Sequence, residues 1–420
     1  MDDITRQRPP EASPSAPPAD TLSRLAPQTK GTRLAGLEGP RGLGAICVIV
    51  AHVGVHTPGI STAARLDFLG QALTFFFVLS GFLLYLPYVQ RYLDGRPRPD
   101  AKRYFANRVR RIFPAYLVIF LIVNFVLRVS YLENPVVAGW DKSDNSTGMI
   151  TDPIPLLAHL TLTQSLFPST LQTGINPAWS LTAEWGFYLV LPLVGYFLFR
   201  SVRRRSATVT GALIPAAALI AVGLVANTVT GFLQRGATNL TPLEAYWGPN
   251  WIAVLSRSSL ALADNFAWGM VAAVIYVAIA RGAFRGTSTR TVVRVSTAAM
   301  LIALVASMIA FVLGSRYISS IFAVSSCALI VMIVAPLARG EESRLARITD
   351  WRPLKYLGMI SLSAYLWHYP VLILVERWGV PIPNSPLGLL WGSAVVIGIT
   401  VALATATYYL VEKPMMSWRT

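Results

Sequence analysis

Long apolar runs separated by short polar loops are the main pattern along the chain. About ten windows of roughly 20 residues are apolar enough to cross a bilayer as an α-helix. The pattern therefore predicts an all-α integral membrane protein with about ten transmembrane helices. The predicted spans are residues 38–57, 68–89, 112–132, 179–199, 207–232, 259–280, 293–313, 317–337, 356–375 and 388–411.

One further apolar run, IPLLAHLTLTQSLF at 154–167, breaks the alternation of spans and loops. Apolar runs of about 10–14 residues more often lie at the membrane interface, or re-enter it, than cross it. If this run crossed, the basic residues at 203–205 would fall on the outer side. We therefore predict a re-entrant or interfacial helix on the outer side of the membrane.

Lysines and arginines in the short loops orient the predicted helices. Positively charged residues concentrate in cytoplasmic loops. In this chain they occur in alternate loops, at residues 91–111, 200–205, 281–294 and 344–355. The pattern predicts that these four loops and both termini are cytoplasmic.

Composition supports a membrane protein rather than a soluble one. Of the 420 residues, 54% are hydrophobic and 13% are charged, against about 25% charged residues in soluble domains. The formal net charge of +16 arises in the loops, so it indicates membrane orientation and no nucleic-acid partner. Cys47 and Cys327 have no disulfide or metal-ligand spacing and are interpreted as small buried apolar residues.

The chain divides into a tail and a membrane domain. Residues 1–33 are polar and rich in proline, so we predict a disordered cytoplasmic tail without a cleavable secretion signal. The transmembrane domain is predicted to extend over 34–415, and a short tail follows at 416–420. The sequence leaves the oligomeric state open.

Two ionisable residues share one face of the first predicted helix. Arg41 and His52 are eleven residues apart, which is nearly three helical turns and about 16 Å along the axis. An ionisable group in hydrocarbon costs about 2.5–3.5 kcal/mol, so the pair favours a shared functional cavity. A simpler interpretation stays open for each residue. Arg41 would be a cation that reaches the membrane surface from a helix end, and His52 would form a hydrogen bond between helices.

Two later spans also carry polar residues. A carboxylate inside a membrane helix should be protonated, paired or hydrated, which favours a functional role for Glu184 in WSLTAEW at 179–185. For His368, in SLSAYLWHYP at 361–370, a functional role and a structural role are both open. Trp179 also fits an ordinary aromatic belt at the membrane interface.

Arg108 and Arg111 lie three residues apart and share a helix face at a predicted cytoplasmic entrance. Guanidinium groups bind phosphate through parallel hydrogen bonds, although membrane orientation alone also explains this pair. The Ser80-Gly81 pair would permit close helix packing. No Walker loop, dinucleotide fingerprint, zinc signature or G-x-S-x-G elbow is present, so we predict no metal, no ATP-driven transport and no α/β serine hydrolase.

Six motifs, taken in their order along the chain, resemble those of the acyltransferase 3 family of membrane-bound O-acyltransferases. They are Arg41-x10-His52, FFFVLSGFLL at 75–84, RYFANRVRRIFPAY at 103–116, WSLTAEWGFYLVLP at 179–192, LSAYLWHYPV at 362–371 and Glu412-Lys413-Pro414. The resemblance covers residues 34–415. Two features depart from it, since Glu38 stands where family members often have Asp and no esterase-like domain follows within the 420 residues.

The resemblance implies about ten spans in a bacterial plasma membrane, with both termini cytoplasmic. It implies transfer of an acyl group, with acetyl expected, from cytoplasmic acyl-coenzyme A to a hydroxyl of an extracytoplasmic carbohydrate or glycolipid. We predict His52 and Glu184 as catalytic residues. The residues predicted to bind acyl-coenzyme A are Arg41, Arg108 and Arg111, and those predicted to bind substrate are Ser80, Trp179, Ser180 and His368.

Neutral His52 is expected to remove a proton from the acceptor hydroxyl, with a transient acyl-histidine or acyl-serine as the alternative. Glu184 would orient or stabilise the protonated histidine, or position the sugar. The main rival function is a transporter or flippase of a lipid-linked saccharide, in which these residues form a substrate or proton path. The identity of the acceptor and the length of the acyl chain stay open.

Overall fold

A computed structural model of the protein describes residues 34–138, 146–202 and 206–418. The predicted disordered tail at 1–33 and the basic residues at 203–205 lie outside this part of the chain. The described chain is built of α-helices, apart from two short strands, β1 (Ser130–Tyr131) and β2 (Thr147–Gly148). The strands pair antiparallel, with Ser130 opposite Gly148.

The α-helices range in length from five to 28 residues. In chain order, the first nine are α1 (Glu38–Gly54), α2 (Pro58–Ala64), α3 (Ala72–Leu93), α4 (Ala101–Leu121), α5 (Pro153–Leu160), α6 (Trp179–Val202), α7 (Val209–Gly236), α8 (Pro242–Trp247) and α9 (Trp251–Ser256). The others are α10 (Ala263–Ala280), α11 (Thr289–Val312), α12 (Ile318–Ala338), α13 (Arg344–Thr349), α14 (Arg352–Met359), α15 (Ser361–Arg377), α16 (Pro386–Thr407) and α17 (Lys413–Ser417). Short 3-10 helices lie at Leu66–Gln71, Gln164–Leu166, Pro168–Thr170 and Asn176–Ala178, and π-helical turns at Ile122–Leu127 and Tyr408–Glu412.

Apolar helices long enough to cross a membrane account for most of the described chain. Eight helical segments of the described ranges meet this condition, and the bent pair α14–α15 would be a ninth. Helix α1 has 17 residues, about 26 Å of helix, which is slightly less than the roughly 30 Å hydrocarbon core. The all-α membrane architecture is thus confirmed, whereas ten spans and cytoplasmic termini stay predictions.

Two predicted helix boundaries are wrong. The span predicted at 356–375 is not one helix, because α14 and α15 meet at an angle of 75°. The span predicted at 112–132 begins eleven residues earlier, at Ala101, where the Asp100 carboxylate accepts a hydrogen bond from the Arg103 backbone N–H (2.7 Å) and caps the helix. A search for apolar windows overlooks this basic first half of α4.

The run at 154–167 forms the short helix α5 followed by a 3-10 turn. Eight residues of α-helix extend about 12 Å, so α5 is too short to cross a bilayer. Its placement at the interface or in a re-entrant position stays a prediction.

Helix α10 lies at the centre of the bundle. In its apolar stretch 72% of residues are buried, against 22% in α7 and in α11. Glycines let α3 and α10 pack backbone to backbone, since a Cβ on Gly81 would lie 2.0 Å from the Phe266 carbonyl oxygen and one on Gly269 1.8 Å from that of Val78. The close packing predicted at Ser80-Gly81 is confirmed.

Helix α1 is seated against α14, α15 and α16. A Cβ on Gly42 would lie 2.4 Å from the Leu354 carbonyl oxygen, and one on Gly358 only 1.9 Å from that of Glu38. These contacts fix the first turn of α1 on α14. Helices α1 and α15 then run side by side in the same direction and carry Arg41, His52 and His368 of the predicted site.

The glycine contact between α3 and α10 gives a direct test of this packing. Replacing Gly269 by Ala forces the two backbones apart, and overpacking of this kind costs about 1–3 kcal/mol. We expect the unfolding midpoint of the detergent-solubilised variant to fall by several degrees. Gly398→Ala is the matched control, because a Cβ there meets no atom within 4 Å. Equal midpoints for the two variants would contradict this packing.

Candidate active site

Helices α1, α3, α4, α6 and α15 enclose a cavity of about 190 Å³. Its apolar wall is formed mainly by leucine and phenylalanine side chains of α3. The polar side chains that line it are Arg41, Ser80, Arg108, Arg111, Ser180, Glu184, Tyr188, Ser361 and Tyr365. The cavity therefore brings together six of the nine residues predicted as site residues, and His52, His368 and Trp179 lie outside its lining.

Three guanidinium groups share this cavity. Arg41 donates hydrogen bonds to Glu38 Oε2 (2.9 Å) and to Ser361 Oγ (3.0 Å). Arg108 lies over the Tyr188 ring, with its Cζ 5.9 Å from the ring centroid. Its Nε is buried and has no hydrogen-bond partner among the described residues. A buried donor without a partner is costly, so this N–H is suited to an anionic ligand.

Carboxylates balance part of this positive charge. Glu38, Glu184 and Glu412 are all close enough to Arg41 to attract it, whereas Arg111 repels it. Glu412 is buried and accepts a hydrogen bond from Ser363 Oγ. It ends the π-helical turn at Tyr408–Glu412, which places the Glu-Lys-Pro motif of the sequence beside the arginines. The cavity is therefore a charged pocket rather than an apolar void.

Glu184 is held by two hydroxyl groups. Its Oε1 accepts hydrogen bonds from Ser80 Oγ and Tyr188 Oη, each at 2.6 Å. Tyr188 lies one helical turn after Glu184 on α6, and Ser80 comes from α3. These bonds fix the carboxylate on the cavity wall. The structure thus joins Glu184 to Ser80 and Tyr188 rather than to His52.

His52 and His368 form a hydrogen-bonded pair between α1 and α15. His52 Nδ1 lies 3.2 Å from His368 Nε2 and 2.9 Å from the Val48 carbonyl oxygen. His368 is fully buried, and its Nδ1 lies 2.5 Å from the Tyr365 carbonyl oxygen. The ring centroids of the two histidines are 4.9 Å apart.

The hydrogen bonds assign the protons of the neutral pair. A carbonyl oxygen only accepts, so His368 Nδ1 carries a proton and its Nε2 presents a lone pair. His52 Nδ1 must then be the donor to that lone pair and to the Val48 carbonyl. The Nε2 of His52 is left without a proton, which is the state that a general base requires.

Tyr365 links the histidine pair to the cavity. Its hydroxyl lies 2.8 Å from Ser180 Oγ and donates to the Pro177 carbonyl oxygen (2.9 Å). Its ring centroid is 5.6 Å from that of His368. Tyr365 lines the cavity and His368 does not. The tyrosine therefore lies between the histidines and the arginine cluster, which is Arg41, Arg108 and Arg111.

Trp179 belongs to a separate aromatic cluster. Its ring meets that of Trp247 edge to face at 5.9 Å, and the buried Arg257 guanidinium lies over Trp247 with 3.1 Å from Cζ to the ring centroid. Arg257 also donates to the Tyr246 carbonyl oxygen (2.5 Å). In this structure Trp179 therefore ties the start of α6 to α8 and the segment after α9.

His159 is a buried histidine of a different kind. It stacks on Phe120 with ring centroids 5.2 Å apart, and its Nε2 lies 2.9 Å from Thr173 Oγ1. Burial lowers the pKa of His159 to about 4, so the ring is neutral at pH 7. Its contacts are structural, and it lies apart from the cavity lining.

A family model described as an acyltransferase domain, that of the acyltransferase 3 family, matches residues 34–409. The chain belongs to this family. It is therefore an acyltransferase, and its apolar helices make it a multi-pass membrane protein. No solved structure matches the chain.

Three curated relatives are similar along most of this acyltransferase. Acyltransferase MdmB of Streptomyces mycarofaciens is 26% identical over 403 residues, which cover 91% of this chain and 92% of MdmB. O-acetyltransferase OatA of Staphylococcus aureus is 25% identical over 94% of this chain and 59% of OatA. YrhL of Bacillus subtilis, named as a proposed peptidoglycan O-acetyltransferase, is 25% identical over 90% of this chain and 54% of YrhL. The chain thus spans little more than half of OatA and YrhL.

Sequence reasoning missed two tyrosines that organise this acyltransferase. Tyr188 holds Glu184, and Tyr365 separates the cavity from the histidines. A signal for each was available, because Tyr188 lies four residues after Glu184 and Tyr365 three before His368, which are the spacings of neighbours on a helix face. Tyrosine is common in membrane helices, so the spacing alone did not distinguish them.

The proton assignment can be checked by 15N NMR on histidine-labelled protein in lipid. The chain has only four histidines, so the spectrum is simple. We expect neutral His52 to carry its proton on Nδ1, because that nitrogen faces His368 Nε2 and the Val48 carbonyl. His52→Gln assigns the signals by deletion. A His52 signal with the proton on Nε2 would overturn the assignment.

Proposed function

We propose that this acyltransferase moves an acyl group, acetyl in the simplest case, from cytoplasmic acyl-coenzyme A to a hydroxyl of an extracytoplasmic or lipid-linked carbohydrate. The observation that carries the proposal is the order of groups along α1 and α15. Arg41 contacts Ser361 at one end, and His52, about 16 Å further along α1, contacts His368. A phosphate-binding end and a general base therefore belong to one continuous pair of helices.

The arginine cluster suits the phosphates of the donor. Arg41, Arg108 and Arg111 surround one cavity, and guanidinium–phosphate contacts are among the strongest hydrogen bonds in proteins. The cavity of about 190 Å³ is smaller than the roughly 300–1,000 Å³ of sites that enclose a drug-sized ligand. It accordingly fits one part of coenzyme A, with the nucleotide outside and the narrow pantetheine arm directed inward.

The donor arm must pass Tyr365 to bring its thioester to the histidine pair. Tyr365 closes this end of the cavity through its hydrogen bond with Ser180. Displacing that bond would open a path along α15 towards His52. Ser180 would then have a positioning role at the donor path.

His52 supports direct transfer. Its unprotonated Nε2 takes the proton of the acceptor hydroxyl while that oxygen attacks the thioester carbonyl carbon. The carbon–sulfur bond breaks, and the departing thiolate recovers the proton from the imidazolium. His368 acts as a positioning residue, because its Nε2 accepts from His52 Nδ1 and so holds the reactive tautomer.

Glu184 fits an electrostatic or acceptor-positioning role. Its hydrogen bonds with Ser80 and Tyr188 keep its charge within the arginine cavity. A nucleophilic route through an acyl-histidine would use the same Nε2. It would leave the acyl group trapped on His52 until an acceptor removes it. Direct transfer predicts no such trapped group.

The carbohydrate acceptor is supported by the relatives named as O-acetyltransferases. A flippase of lipid-linked saccharides is the rival function, and it has no use for an acyl donor. Dependence on acetyl-coenzyme A therefore separates the two functions.

One assay on the purified protein in nanodiscs tests this proposal. His52→Gln removes the base, and we expect kcat for acetyl transfer to fall at least about 100-fold. Arg108→Gln removes one charged hydrogen bond to the donor, so its KM for acetyl-coenzyme A should rise about tenfold. Arg294→Gln, an exposed arginine on the peripheral helix α11, is the matched control. Undiminished transfer by His52→Gln, or equal KM values for the two arginine variants, would contradict the proposal.

A further inference from the structure

Beyond His52, the turn that follows α1 contacts the far end of α15. His56 Nδ1 lies 2.6 Å from Glu376 Oε1, and the two side chains are 18% and 31% exposed. His56 is four residues after His52, and Glu376 is eight residues after His368. This partly exposed contact lies at the end of the site away from the arginine cavity.

Two tyrosines join this contact to the histidine pair. The Tyr369 ring stands edge-on to His52 with centroids 5.2 Å apart, and the Tyr131 ring lies 6.0 Å from Tyr369. Glu376 is close enough to both phenols to act on them electrostatically. One carboxylate and two aromatic rings thus lie beyond His52, with the Tyr369 ring buried and the Tyr131 ring half-buried.

The backbone fixes Tyr131 in this position. It lies in β1, where it pairs with Thr147, and its N–H donates to the Gly174 carbonyl oxygen at 3.0 Å. The Arg377 guanidinium donates to the carbonyl oxygens of Leu127 and Arg128, which ties the end of α15 to the same segment. The group is therefore held in place by the fold and needs no ligand to assemble it.

The charges indicate the class of ligand. Glu376 can accept hydrogen bonds from hydroxyl groups, and tyrosine rings offer a flat surface with a polar tip. A phosphorylated ligand would meet the Glu376 carboxylate at this end, where the neighbouring Arg377 guanidinium is bonded to backbone carbonyl oxygens, whereas three arginines line the opposite cavity. The site is therefore suited to an uncharged polyhydroxyl compound.

We propose that His56, Tyr131, Tyr369 and Glu376 form the subsite for the acceptor sugar, which binds as an uncharged ring with one hydroxyl at His52 Nε2. The proposal rests on the proposed function and names the chemistry of its acceptor. Glu376 accepts hydrogen bonds from neighbouring sugar hydroxyls.

Glu376→Gln tests the subsite, with N-acetylglucosamine and its 6-phosphate as acceptor probes and acetyl-coenzyme A as donor. We expect the variant to show an acceptor KM about tenfold higher for the uncharged sugar, because its amide is a weaker acceptor than a carboxylate. The KM for acetyl-coenzyme A should not change. The variant should also discriminate less against the 6-phosphate.

Glu133→Gln is the matched control, because Glu133 is an exposed carboxylate two residues after Tyr131 that lies outside the subsite. An acceptor KM that Glu376→Gln leaves unchanged, or a wild-type preference for the 6-phosphate, would overturn the subsite. Binding of acetyl-coenzyme A separates the two proposals. If the wild type does not bind acetyl-coenzyme A, the proposed function itself fails. If that binding is normal and the acceptor KM is unchanged in the variant, the subsite alone fails.

Discussion

The parallel packing of α1 against α15 is the constraint on which the rest of the site depends. Polar contacts join α1 and the turn that follows it to α15 at three depths, Arg41 with Ser361, His52 with His368 and His56 with Glu376. The first and last contacts are fifteen residues apart on each chain segment, about 22 Å. A register shift of one residue on either helix would separate all three pairs, because each would turn to another face.

Burying polar groups in a membrane domain is costly, and here the cost is offset by specific partners. The arginine cavity contains carboxylates, Glu184 is held by two hydroxyls, and each histidine has a carbonyl acceptor. Among the polar side chains that line the cavity, the buried Nε of Arg108 has no hydrogen-bond partner among the described residues. An acyltransferase that binds an anionic acyl donor would leave such an N–H group available until that substrate binds.

The sequence predicted the helices and most of the cavity, because both leave local signals. Apolar windows located the long helices, the spacing of Arg108 and Arg111 placed them on one helix face, and the position of a carboxylate inside a span identified Glu184. The break between α14 and α15 was missed; the contact next to it, of Gly358 with Glu38, joins residues more than 300 positions apart. The partner of His52 was missed as well, since only the packing of α1 on α15 brings His368 to it.

Passage of an acyl group from a donor on one face of the membrane to an acceptor on the other is the central step of the proposed function. It is tested most directly by sided transfer in membrane vesicles. Inverted vesicles, which expose the cytoplasmic face, would be loaded with N-acetylglucosamine and given impermeant acetyl-coenzyme A outside. We predict acetylated sugar inside these vesicles and none in right-side-out vesicles given external acetyl-coenzyme A. Equal acetylation in both orientations, or only when donor and acceptor share one face, would contradict transfer across the membrane.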